Sequence, residues 1–340
     1  MSTGDRTDCG PGQPEGSRPS KARPALAPGS SALEAWVAVL RSLLDETVAN
    51  EAGVRDGADP ERLHDFRVAI RRSRSVLREA KRVLPRPVIE HARRELGWLG
   101  RATSRLRDLD VLLLSLPELE ATLSADQRGA LGPLQGILIE LQREAHTALV
   151  VDLDSERYAQ LLEWWAVFLD HPPSGAHTKA PDAARPARKV AAERIRSAHR
   201  ALVRDGRRIN ETSPPPELHE LRKDAKKLRY LLECFGSLYP RELVEPVVKK
   251  LKGLQDVLGT YQDCQVHLAT LEHAVEVLRA RQGDREAVLG AVELLEIELG
   301  DRAQRARAEF QERFSRFDST AVRRRVRALG HNPKGSGAGS

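Results

Sequence analysis

Two histidines, His64 and His219, each begin a row of basic side chains at helical spacing. Residues three or four apart lie on one band of an α-helix, so each row forms a continuous ridge. The first ridge comprises His64, Arg67, Arg71, Arg74 and Arg78, and the second comprises His219, Arg222, Lys226 and Arg229. Guanidinium forks and mobile ammonium groups both bind phosphate oxygens. The ridges therefore indicate anion binding rather than catalytic geometry.

The length of the first ridge favours an extended ligand. It runs from His64 to Arg78, which is about 21 Å at the rise of an α-helix, and a single nucleotide does not need that length. Like charges four residues apart cost a helix a few tenths of a kcal/mol per pair, which a linear polyanion would offset. The polyanion would also raise the pKa of each histidine and favour its doubly donating cation.

The two ridges belong to an internal repeat with a constant offset of 155 residues. Residues 63–116 align with 218–271 without a gap, so that His64 matches His219 and Asp108 matches Asp263. The register extends backward to Arg41 and Arg196. We interpret the two aspartates as structural, since an anion site uses a carboxylate mainly to orient a basic side chain.

The elements that carry the ridges are predicted to be helices throughout. Apolar residues recur at helical spacing in both copies, as in Phe66, Ile70 and Leu77, and no segment has the alternation of a strand. The 340 residues exceed a usual single core, which predicts two packed bodies. Net charge is only +6, yet residues 62–107 contain fourteen basic against four acidic side chains. Such a patch attracts anions.

Composition predicts the boundaries of these bodies. Segments rich in Gly, Pro and Ser predict an N-terminal tail over 1–30, a linker over 171–186 and a C-terminal tail over 321–340. Folded bodies are expected over 31–170 and 187–320. We expect a soluble, cytoplasmic protein, because the three cysteines lack disulfide-framework or metal-ligand spacing and no apolar run suits a signal peptide or membrane span.

Four segments resemble the CHAD domain, the conserved-histidine α-helical domain. They are HDFRVAIRRSRSVLR, HELRKDAKKLRYLLE, LGRATSRLRDLDVL and LQDVLGTYQDCQV, and the resemblance spans about residues 32–320. It implies an all-α fold of two four-helix bundles related by a pseudo-twofold axis, with a basic central channel that binds inorganic polyphosphate. Association with polyphosphate granules is a further hypothesis from the same resemblance.

The resemblance also implies a set of ligands, carried over by motif. In the first half these are His64, Arg67, Arg71, Arg72 and Arg74. In the second half they are His219, Arg222, Lys223, Lys226, Lys227 and Arg229, with Arg41 and Arg196 as weaker candidates. Ser73 departs from the family pattern, which usually has Leu there, and is expected to loosen the packing locally. No catalytic residue, cofactor or metal is expected.

Three other functions remain open at this point. An accessory domain of a phosphate-hydrolysing enzyme is one, although the chain has no ExExK motif and no carboxylates paired for Mg²⁺. Nonspecific nucleic-acid binding is another, since the same basic residues would bind the phosphate backbone of any nucleic acid. Specific base recognition is not expected, because only Tyr230 could stack within the ridges. A helical scaffold for a protein partner is the third, but it does not require His64 and His219 to match.

Overall fold

Helices account for all the regular structure of the chain in a computed structural model that describes residues 24–172, 180–281 and 285–330. Over these ranges no β-strand forms, in agreement with the predicted all-α class. The helices of the N-terminal half are α1 (Ala32–Asp56), α2 (Pro60–Glu79), α3 (Arg86–Ala102), α4 (Ser104–Glu120), α5 (Ala125–Ala130), α6 (Gly132–Leu153) and α7 (Glu156–Asp170). Those of the C-terminal half are α8 (Ala187–Gly206), α9 (Pro215–Phe235), α10 (Arg241–Ala280), α11 (Glu286–Phe317) and α12 (Thr320–Ala328), with a 3₁₀ turn at Gly236–Leu238.

Local sequence explains where the first ridge helix begins and which face it buries. Asp59 caps α2 by accepting a hydrogen bond from the Glu61 amide, and Pro60 occupies the first turn, where its missing N–H costs nothing. Before it, Gly57 ends α1 in the left-handed region at φ 72°. Phe66, Ile70 and Leu77 are buried, as predicted, and Ser73 is buried on the same face.

The repeat offset reappears in the positions of the helices. Helices begin at Ala32 and Ala187, at Pro60 and Pro215, and at Arg86 and Arg241, each pair 155 residues apart. The two halves differ beyond those starts, so the expected four helices per half are not matched one for one over the described ranges. In the second half α10 is one continuous helix, whereas the equivalent segment of the first half is divided at Thr103 into α3 and α4. The Thr103 hydroxyl donates to the Gly100 carbonyl at 3.1 Å, competing with the helical pattern.

Buried side chains form one core that crosses both halves. The rings of Trp36 on α1 and Phe235 on α9 lie 4.2 Å apart between centroids, and both side chains are fully buried. Contacts between α1 and α8, between α2 and α9, and between α4 and α10 join the halves. The described residues thus share a single hydrophobic cluster, which crosses the boundary between the two predicted bodies.

Two of the predicted boundaries need adjustment. The predicted C-terminal tail begins too early, because α12 extends to Ala328 and buries Val322, Val326 and Leu329. The last part of the predicted linker packs against the first half of the chain. Its buried Asp182 accepts hydrogen bonds from Arg82 of that half and from Arg185. Residues 1–23, 173–179 and 331–340 lie outside the described residues, so the prediction for those parts of the tails and linker stays a prediction.

Within the described ranges, no helix combines the length and apolar character needed to span a bilayer.

Candidate functional site

Four basic side chains of the ridges converge where α2 packs against α9. We call Arg67, Arg71, Arg222 and Lys226 the central cluster; Arg67 and Arg222 are related by the repeat offset, as are Arg71 and Lys226. The charge of Arg71 acts on all three of the others, which places its guanidinium among them. The structure therefore brings both predicted ridges together at one position.

Lys226 and Arg71 carry charges that the protein does not compensate by direct contact. Neither side chain forms an ion pair or a hydrogen bond within the described part of the chain, and Nε of Arg71 is buried without a partner. Burial, followed by the charges of Arg222 and Arg71, lowers the pKa of Lys226 to about 7. Charge held away from water without a counter-charge is costly, so an external anion would stabilise this arrangement.

Arg67 and Arg222 are held in place by different partners. Arg67 donates from Nη1 to Thr103 Oγ1 at 2.6 Å, at the interruption between α3 and α4. Burial, followed by the charge of Arg71, lowers the pKa of Arg67 to about 10, so it remains a cation at neutral pH. Arg222 instead donates to Asp263 Oδ1 at 3.2 Å. Burial and then Arg71 lower its pKa, and Asp263 opposes them.

The two histidines have partners that are also related by the repeat. Arg107 Nη2 lies 3.0 Å from His64 Nδ1, and Gln262 Oε1 lies 2.5 Å from His219 Nδ1; Arg107 and Gln262 are themselves 155 residues apart. A guanidinium only donates, so Nδ1 of His64 accepts, whereas Nδ1 of His219 donates to the amide oxygen. Burial, followed by Arg107, lowers the pKa of His64. Sequence reasoning missed both partners, although the constant offset could have indicated them.

Three of the predicted ligands already have carboxylate partners outside the central cluster. Arg72 pairs with Glu233 of the other half at 3.0 Å, and Lys227 pairs with Glu79 of the first half at 2.7 Å. Burial opposes the charge of Arg72, but Glu233 outweighs it and the pKa is raised. Lys223 is half exposed and pairs with Glu220 at 2.5 Å. To bind a phosphate, each of these three side chains would first have to break its ion pair.

The remaining predicted ligands, Arg74 and Arg229, differ from each other in surroundings. Arg229 donates to Gln255 Oε1 at 2.8 Å and pairs with Glu233 at 3.0 Å. Arg74 forms no ion pair or hydrogen bond within the described ranges, and burial followed by Arg78, Arg101 and Arg93 lowers its pKa.

The weaker candidates lie elsewhere. Arg41 donates to the Ala166 carbonyl at 2.9 Å and pairs with Asp170. Arg196 lies against Gly330, near the end of the described chain.

The carboxylates Asp108 and Asp263 lie beside the central cluster. Asp263 accepts from Arg222, and both aspartates act on the pKa of that arginine. Burial raises the pKa of Asp108, while Arg67 lowers it and Asp263 raises it further. Asp263 is therefore placed to orient Arg222. Among the residues that the structure describes, no group of three or more His, Cys, Asp or Glu side chains is placed to hold a metal ion.

Comparisons with known proteins agree with this architecture. The CHAD domain family model matches residues 38–272, more than half of the chain, so the chain belongs to the CHAD domain family. The crystal structure of the CHAD domain from the plant Ricinus communis is similar, with 25% sequence identity, a TM-score of 0.66, and coverage of 92% of this chain and 98% of that one. PptA from Streptomyces chartreusis shares the fold at 21% identity and a TM-score of 0.60, covering 84% of this chain and 100% of that one. A search among curated proteins gives no match.

Proposed function

We propose that this CHAD domain protein binds inorganic polyphosphate without cleaving it. The observation that carries the proposal is the pair Arg71 and Lys226, two repeat-related cations that are partly buried and lack any direct partner among the described residues. A buried charge without a counter-charge destabilises the free protein. A polyanion supplies the missing charge, and the family resemblance supplies the identity of that polyanion.

The extent of the basic surface favours a chain of phosphates over a single phosphate. The ridge on α2 extends about 21 Å, and α9, which carries the second ridge, is in contact with α2. We infer that the two ridges are the walls of one channel and that the halves, each a helical bundle from the internal duplication, are related by a pseudo-twofold axis. Arg67, Arg71, Arg222 and Lys226 would be the main ligands, with His64 and His219 at the ridge starts.

The chemistry of the neighbouring carboxylates favours binding over hydrolysis. Asp263 is engaged by Arg222, and Asp108 is partly buried with a raised pKa. A Mg²⁺ ion would need ionised oxygen ligands free to coordinate it. We expect no phosphate release when the protein is incubated with long-chain polyphosphate and Mg²⁺ or Mn²⁺, measured by a colorimetric phosphate assay. Steady release that depends on protein concentration would contradict the non-catalytic proposal.

A competition series tests the binding itself. Labelled polyphosphate would be displaced by unlabelled polyphosphate, DNA, RNA or free phosphate across a range of salt concentrations. We expect the double variant Arg71→Gln with Lys226→Gln to bind at least about 100-fold less tightly, since each charge-assisted hydrogen bond contributes roughly 1.5–3 kcal/mol.

The matched control is the double variant Lys249→Gln with Lys250→Gln. It replaces two exposed lysines of α10 by the same substitution. Equal losses in both double variants would reduce the proposal to nonspecific electrostatics. Equal affinity for DNA would favour the nucleic-acid alternative.

Granule association is a separate proposal: a fluorescent fusion should colocalise with polyphosphate granules in cells that accumulate them, and the Arg71→Gln, Lys226→Gln fusion should not.

A further inference from the structure

Beside the first ridge, four arginines of α2 and α3 form a second basic surface. We call Arg74, Arg78, Arg93 and Arg101 the α2–α3 arginine groove. The charges of Arg78, Arg101 and Arg93 all act on Arg74, so the four guanidinium groups lie near one another. Arg78, Arg93 and Arg101 are exposed, whereas Arg74 is partly buried beneath them.

Two glycines on α3 make room for the Arg74 side chain. A Cβ atom at Gly100 would lie only 3.2 Å from Arg74 Nη1, and one at Gly97 would lie 4.0 Å from Nη2. The Arg74 guanidinium thus rests on bare helix backbone between the other arginines. Because Gly97 and Gly100 have no side chains, the guanidinium stays within reach of a ligand that lies along the groove.

The charge of the groove is not compensated by direct contact. None of its four arginines forms a hydrogen bond or an ion pair with another residue in the ranges that the structure describes. Asp224 on α9 is near enough for Arg78 to influence its pKa, but it is not within ion-pair distance of Arg78. An anion bound in the groove would offset the repulsion among the four guanidinium groups.

The second half has no equivalent groove. At the repeat offset, Arg78, Arg93 and Arg101 are replaced by Glu233, Val248 and Asp256. Gln255 replaces Gly100 and accepts a hydrogen bond from Arg229, which also pairs with Glu233. The counterpart of Arg74 is therefore neutralised, and the second half has no arginine groove at the equivalent position.

Ser104 lies close to one arginine of the groove and to one arginine of the central cluster. Arg101 lines a cleft of about 710 Å³ together with Ser104, Arg105 and Asp108. Ser104 is also a partner of Arg67, whose Nη1 lies 3.4 Å from its hydroxyl. Ser104 therefore lies near both Arg101 of the groove and Arg67 of the central cluster, in a cleft that Leu109 and Val266 also line.

We propose that the α2–α3 arginine groove is an extension subsite that binds the part of a polyphosphate chain leaving the central cluster, so that long chains bind asymmetrically, along the first half only. This inference rests on the proposed function. It adds Arg93 and Arg101 to the binding residues and predicts a preference for chains long enough to occupy both places.

The test compares tripolyphosphate with long-chain polyphosphate, using the full chain and isothermal titration calorimetry at several salt concentrations. The variant Arg93→Gln with Arg101→Gln should lose at least about tenfold in affinity for the long chain and keep its affinity for tripolyphosphate. Its slope of log affinity against log salt should fall by roughly two, one for each lost phosphate contact. Lys249→Gln with Lys250→Gln, which removes the same charge from exposed positions of α10, should retain both affinity and slope.

The outcomes separate the two proposals. If the wild-type protein binds neither ligand, the proposed function fails. If it binds both and the groove variant matches the Lys249, Lys250 control for the long chain, only the extension subsite is overturned. If the groove variant loses both ligands equally, Arg93 and Arg101 belong to the central site, and the asymmetric path is wrong.

Discussion

Lys226 is the side chain whose ionisation most directly links the site to pH. Burial, followed by Arg222 and Arg229 on its own helix and Arg71 on α2, lowers its pKa from the ordinary 10.5 to about 7, and Asp263 on α10 opposes this shift. Near neutral pH the free protein therefore holds a mixture of ammonium and neutral amine at this position. A bound polyanion favours the ammonium form, so binding takes up a proton.

Affinity for polyphosphate should consequently fall as pH rises from about 7 to about 9, because more of the free protein must be protonated before it binds. Lys226→Arg, which restores the residue type of the repeat partner Arg71, should flatten this dependence because an arginine keeps its charge over the range. Calorimetric titrations at three pH values would measure it. A wild-type profile as flat as that of Lys226→Arg would assign the titration to another group.

Removing the Lys226 charge should stabilise the free protein while weakening binding. The folded pKa lies below the unfolded one, so the lysine costs stability fully below pH 7, and that cost declines as pH rises toward 10.5. Lys226→Met should raise the free energy of unfolding in urea by about 1 kcal/mol, and by more at about pH 6 than at about pH 9. A destabilised Lys226→Met would indicate that the ammonium group has a structural partner.

At the scale of the helices, the contact between α2 and α9 is held by ion pairs that run in both directions between the halves. Arg72 of α2 pairs with Glu233 of α9, and Lys227 of α9 pairs with Glu79 of α2. Arg72 and Glu233 have side chains only 14% and 8% exposed. The family motif includes both basic residues, and in this structure their charges fix the helices that carry the central cluster.

Glu233→Gln should therefore lower the free energy of unfolding by about 3 kcal/mol, since it leaves Arg72 buried without its nearest counter-charge and also removes a partner of Arg229. Urea denaturation followed by circular dichroism would measure the loss. Glu90→Gln is the matched control, because its partner Arg86 is 88% exposed and exposed pairs contribute little. Equal stability of the two variants would show that the cross-half pair does not hold α2 to α9.

At the scale of the whole molecule, the two repeats share one core, and Trp36 against Phe235 crosses between them. We expect the full chain to unfold in a single calorimetric transition, with equal calorimetric and van't Hoff enthalpies. A fragment of residues 24–170 should not fold alone, because Trp36 and its neighbours would lose their packing partners in α8 and α9. Two resolved transitions, or a fragment with sharp dispersed amide resonances, would restore the picture of two independent bodies.

Much of this organisation could be read from the amino-acid order. Helical periodicity predicted the buried face of α2, and the offset of 155 residues predicted which helices begin at equivalent positions. Both patterns are local or nearly so: a helix places every third or fourth side chain on one face wherever it occurs. The ridges and the family resemblance follow from the same regularity.

The pairing of charges could not be read in that way. Arg71 and Arg72 are adjacent in the chain, yet Arg72 meets Glu233 and Arg71 meets no partner among the described residues. Which cation is compensated depends on carboxylates about 160 residues away and on the packing of α2 against α9. The repeat likewise predicts two equal ridges, whereas Glu233 neutralises Arg229 and Gln255 accepts its hydrogen bond on one side, and glycines leave Arg74 open on the other. Only folded packing brings such distant groups within the few ångströms over which hydrogen bonds and ion pairs form.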